Sequence, residues 1–112
     1  MSSAAKPALE RVAAVEDVPP GSLRGVTLSN GDKVCLVNLG SEIRALGNVC
    51  THQEFAMSDG ALIPGGLIEC AWHGARFDCR TGAVKRFPAT DPLPVYDVRV
   101  EHDEIWVGGR VR

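Results

Sequence analysis

The chain has 112 residues, 45% of them hydrophobic and 23% charged, with a formal net charge of −2. That describes one ordinary folded domain with a modest core; it excludes a disordered chain and gives no ground for non-specific attraction to nucleic acid. No stretch is apolar for the roughly 20 residues a membrane helix needs, and the opening MSSAAKPALE lacks the apolar run of a signal peptide. A cytoplasmic protein without membrane or nucleic-acid partners is therefore expected. There paired disulfides are rare, so the four cysteines read as metal ligands or buried thiols.

In chain order, residues 1–8 show no periodic apolar face and read as a frayed end. SLRGVTL (Ser22 to Leu28) and KVCLVNL (Lys33 to Leu39) flank SNGD, where the Asn30-Gly31 pair favours positive φ and signals a hairpin. EIRAL (Glu42 to Leu46) follows GS, which like Asn30-Gly31 reads as a two-residue turn. Further on, GLIEC, ARFDC and AVKRF are separated by short turns, one of them at Thr81-Gly82. LPVYDVRV and EIWVGG close the chain as a hairpin around EHD, a solvated turn that leaves His102 exposed. Helical periodicity is almost absent, so an all-β protein of short strands is expected. Residues 9–46 and 93–112 alternate as a sandwich or barrel does, while 47–92 are richer in Gly, Pro, Cys and His. The simplest architecture is a single domain, 1–112, with an antiparallel β base and a metal-binding lobe inserted between its strands.

Two of the three histidines lie beside cysteines. NVCTHQEFAM offers Cys50 and His52, and ECAWHGARFD offers Cys70 and His73. Thiolate is a soft, negative ligand and imidazole a neutral, borderline one. A Cys and a His one residue apart sit too close to wrap a single ion in a regular strand. On a loop they can aim at two adjacent metals, which suits a [2Fe–2S] cluster with two thiolates on one iron and two imidazoles on the other. A structural zinc site is the alternative, although zinc pairs are usually spaced Cys-x2–4-Cys or His-x3–5-His. Cys35 and Cys79 read as small buried hydrophobes in strands.

CTH, seventeen intervening residues and then CAWH resembles the Rieske pattern of Cys-x-His followed by Cys-x-x-His. HGARFDCRTGAV and Asp59-Gly60 carry the resemblance further, and it spans the chain from about Leu9 to Val107. It implies a Rieske-like fold and one [2Fe–2S] cluster per chain. Cys50 and Cys70 would hold the inner iron; His52 and His73 would hold the outer iron, their distal ring edges facing the surface. Gly74 would turn tightly under the cluster, and FPATDP (Phe87 to Pro92) would be either a screening loop or an ordinary connection. Gln53, Phe55, Met57 and Trp72 would form a docking face or else pack the lobe.

Once the cluster takes two histidines, only His102 remains. The chain cannot build the two-His, one-carboxylate iron site of a terminal oxygenase. It has no Gly-x-Gly-x-x-Gly fingerprint for a dinucleotide either. One-electron transfer remains, not catalysis. The resemblance implies a ferredoxin taking electrons from an NAD(P)H-dependent flavin reductase and passing them to a terminal oxygenase that acts on an aromatic compound. Small-subunit duty in a nitrite reductase-type complex is the second possibility. High-potential relatives carry a second Cys in each loop, a Ser and a Tyr where this chain has Phe55, Trp72, Ala75 and Phe77. With fewer hydrogen bonds to the cluster sulfurs, a potential near the low end of the roughly −150 to +300 mV Rieske range is expected.

Overall fold

A computed structural model of the chain describes residues 9–51, 55–71, 74–87 and 91–112. Among these residues ten strands run in chain order: β1 (Glu10–Ala14), β2 (Leu23–Thr27), β3 (Lys33–Asn38), β4 (Ile43–Gly47), β5 (Ala61–Ile63), β6 (Leu67–Glu69), β7 (Arg76–Asp78), β8 (Val84–Arg86), β9 (Val95–Glu101) and β10 (Glu104–Arg110). All pair antiparallel, in two sheets. Six strands in the order β1-β10-β9-β4-β3-β2 form one, and β5-β6-β7-β8 form the other. The fold is the expected all-β one, with short 3₁₀ turns at Val15–Asp17 and Met57–Asp59. The sequence pattern did not single out β1 or β5. β5 (Ala61–Ile63) has only three residues and no alternation to detect.

β3 explains how the sheets join. Successive side chains of a strand point to opposite faces. Val34 and Leu36 pack in one core with Ala45, Tyr96, Ile105 and Val107. Cys35 and Val37 face the other way, into a second core with Leu46, Ile68, Phe77 and Val95. All four β3 residues are fully buried, which accounts for the continuous apolar run VCLV. The six-stranded sheet thus curls around one core, and the strands of the smaller sheet cover the other.

Two turns differ from expectation. In the hairpin joining β2 and β3 only Gly31 adopts positive φ, at 94°. Gly31 N–H donates to the Leu28 carbonyl at 2.9 Å, while the Asn30 side chain accepts from Asp32 N–H at 2.9 Å. The loop is a three-residue turn with the glycine at the left-handed position, not a two-residue turn with both centres left-handed. Cys79 is fully buried but lies in a turn rather than a strand. The Asp78 carboxylate accepts from the N–H groups of Arg80 (2.7 Å) and Thr81 (3.1 Å), an Asx turn that ends β7.

Candidate functional site

Cys50 and Cys70 sit at the roots of two hairpin loops. Cys50 follows β4, and its N–H donates to the Phe55 carbonyl at 2.9 Å. Behind it, Asn48 clamps the far strand of that loop. Its carboxamide oxygen accepts from Ser58 N–H at 2.7 Å, its carboxamide nitrogen donates to Ser58 Oγ at 3.1 Å, and its carbonyl accepts from Met57 N–H at 2.7 Å. Cys70 follows β6, and its N–H donates to the Ala75 carbonyl at 2.8 Å, closing the loop before β7. Loop closure by backbone hydrogen bonds fixes where each sulfur starts.

The two thiols belong to one core. Cys50 is 2% exposed and Cys70 1%, and they share an apolar cluster with Met57, Ile68, Ala75, Phe77 and Leu93. None of the four cysteines is in a disulfide. The other ligand candidates, His52 and His73, lie outside the described residues, as do Gln53, Trp72 and residues 88–90 of the third loop. Gly74, immediately after His73, has φ 72°, the left-handed conformation that favours glycine. Of the remaining docking candidates, Phe55 is 39% exposed, whereas Met57 is fully buried. Met57 packs the core and is no part of a docking face.

The C-terminal end of the third loop is anchored twice. Thr51 Oγ donates to the Asp91 carbonyl at 2.7 Å, tying it to the first ligand loop. Leu93 N–H donates to the Gly82 carbonyl at 2.9 Å, tying it to the turn after β7. The Asn48–Ser58 and Thr51–Asp91 contacts carry no sequence signature; they join residues 10 and 40 positions apart. Ala75 and Phe77 are both fully buried and bring no hydroxyl to this region.

Cys35 and Cys79 belong to the same core. Burial, and secondarily the nearby Cys79, pushes the Cys35 thiol up to about 12. Burial and then the Asp78 carboxylate push Cys79 up to about 11. These thiols stay protonated at any physiological pH. Cys50 and Cys70 differ in position: each stands at the root of a hairpin loop, and a thiol that ligates a metal does so as the thiolate. Two buried cysteines at the roots of two hairpin loops, sharing one core, fit the sulfur half of an iron–sulfur centre. A cavity of about 690 Å³, bounded by Glu10, Asp32, Tyr96, Trp106 and Arg110, lies on the six-stranded sheet, and neither ligand loop lines it.

Comparison with known proteins places these observations. The family profile described as Rieske [2Fe-2S] domain matches residues 9–97. The biphenyl dioxygenase ferredoxin subunit of Pseudomonas sp. (strain KKS102) is 36% identical over 97 residues, covering 87% of this chain and 88% of that one. Among solved structures, the complex of reduced oxygenase and oxidized ferredoxin in carbazole 1,9a-dioxygenase matches with TM-score 0.82 at 33% identity, over 90% of this chain and 93% of that one. A chain described as an NADH-dependent nitrite reductase small subunit from Mycobacterium tuberculosis matches with TM-score 0.82 at 26% identity, over 92% of this chain and 96% of that one.

Proposed function

This chain belongs to the Rieske [2Fe–2S] domain family, and on that premise we propose that Cys50 and Cys70 hold one iron as thiolates while His52 and His73 hold the other as imidazoles. The protein is an electron-transfer component, not itself a catalyst. The single [2Fe–2S] cluster of such a domain stores one electron at a time. In our reading the electron comes from an NAD(P)H-dependent flavin reductase and goes to a terminal oxygenase, by analogy with the biphenyl and carbazole systems of the relatives. An aromatic oxygenase substrate and a cytoplasmic setting belong to the same proposal. Among the described residues no helix is long and apolar enough to cross a membrane.

One observation carries the ligand assignment: two buried cysteines, outside any disulfide, at the roots of two closed hairpin loops, in one core. The other residues then have assignable tasks. Met57, Ile68, Phe77 and Leu93 keep water from the sulfurs. Thr51 holds the third loop against the first. Ala75 and Phe77, lacking hydroxyls, leave the potential near the low end of the roughly −150 to +300 mV range. Residues 9–46 and 93–112 form the base in this reading, and 47–92 the cluster-binding lobe of a single domain.

The test is iron, zinc and acid-labile sulfide content, with visible and EPR spectra before and after dithionite. Two irons and two sulfides per chain with a Rieske-type signal on reduction are expected. C50A and C70A should each lose both, while C35A and C79A should keep them. One zinc and no colour would refute the redox reading. A second reading, small-subunit duty in a nitrite reductase-type complex, is favoured by the likeness to the mycobacterial chain. Co-purification with a large sirohaem protein would select it over the oxygenase partner.

A further inference from the structure

A row of charges crosses the mouth of the second ligand loop. Glu69, Arg76 and Arg86 are cross-strand neighbours on β6, β7 and β8: Glu69 pairs with Arg76, and Arg76 with Arg86. Arg76 Nε donates to Glu69 Oε2 at 2.7 Å, and Arg86 Nη1 lies 3.8 Å from the same oxygen. Glu69 directly precedes Cys70. On the other side of the loop, a Cβ placed on Gly74 would lie 3.8 Å from Glu69 Oε2 and 3.9 Å from Arg86 Nη1. The carboxylate and the outer guanidinium are therefore held beside both ends of the segment that contains Cys70 and His73.

Stability does not account for this arrangement. The side chains of Glu69, Arg76 and Arg86 are 26%, 32% and 55% exposed, and pairs that open to solvent contribute little. A reduction adds one negative charge at the centre, and fixed charges within a Debye length, about 8–10 Å, act on that step. A carboxylate there opposes electron uptake and a guanidinium favours it.

Resting on the ligand assignment proposed above, we infer that the Glu69–Arg76–Arg86 row sets the reduction potential of the centre through its charge, Glu69 lowering it and Arg86 raising it. These are positioning and tuning residues; none of them is a ligand. Glu69 is held by Arg76, so its charge keeps a fixed place relative to the loop. Arg86, on the edge strand and more exposed, is the member that a substitution can neutralise with least disturbance of packing.

The experiment is a redox titration followed by EPR on the cluster-loaded full chain. E69Q keeps an oxygen to accept from Arg76 and removes the charge. Its potential should rise, by a three- to tenfold change in the oxidised-to-reduced ratio; tenfold is 59 mV for one electron. R86Q should shift the potential the other way by a similar factor, and R86K should restore the wild-type value. D97N, which removes a carboxylate from the six-stranded sheet, should leave it unchanged. Both shifts should shrink as salt is raised. Unchanged potentials in E69Q and R86Q with intact EPR signals would overturn the inference, as would shifts of the same sign. A wild-type protein without iron would instead refute the cluster reading itself.

Discussion

Cys35 and Cys79 show why residue type alone does not identify a ligand. All four cysteines share one core and are at most 2% exposed; burial holds these two thiols at about 12 and about 11. That has a consequence for stability. An ordinary thiol in the unfolded chain ionises near 9.0, while in the folded chain both keep their protons to higher pH. Between those values the unfolded state has lost protons that the folded state retains, so stability falls as pH rises. The expected result is full stability below about pH 9 and a progressive loss from there towards pH 11–12, measured by denaturant titration across that range. C35A should flatten the fall, at a cost of about 1 kcal/mol below pH 9 for the lost packing. Equal slopes in C35A and wild type would show that other groups govern alkaline unfolding.

Among elements, the two hairpin turns invert what their sequences suggest. Asn30-Gly31 has the composition of a two-residue turn, yet Asn30 spends its side chain on Asp32 N–H and only Gly31 is left-handed. The β9–β10 turn has two non-glycine residues with positive φ, His102 at 52° and Asp103 at 63°, conformations that L-residues resist. Antiparallel pairing of Glu101 with Glu104 forces that geometry. Replacing the pair by Asn-Gly (H102N with D103G) should therefore stabilise the protein by about 1 kcal/mol. The readout is a higher denaturation midpoint at unchanged m-value. Gly60 behaves in the opposite way. A Cβ there would lie within 1.9 Å of the Glu69 carbonyl oxygen in β6, one residue before Cys70. G60A should cost more than about 2 kcal/mol, because backbone must shift to admit the methyl group. Loss of cluster content at growth temperature, recovered on cooling, would be the visible sign.

Across the whole molecule, β3 ties the two cores into one cooperative unit. Leu36 faces the core of the six-stranded sheet, while Cys35 and Val37 face the core beneath the ligand loops. Damage to one side should be felt on the other. L36A is expected to cost 2–5 kcal/mol, and amides in β2 and in β7 should lose the same amount of hydrogen-exchange protection. Loss confined to β2 would mean that the smaller sheet unfolds on its own.

By itself the sequence determined the all-β class and the β2–β3 and β9–β10 hairpins. It also singled out the paired Cys and His loops and the family to which the chain belongs. These are local matters: alternation, turn chemistry and ligand spacing are written over a few consecutive residues. Only the tertiary structure decided that Met57 packs a core instead of facing a partner, and that Asn48 and Thr51 reach Ser58 and Asp91. It alone aligned Glu69, Arg76 and Arg86 across three strands. Each of these depends on strand register and on which face a residue presents to a neighbour distant in sequence, and a one-residue slip in register would reverse it.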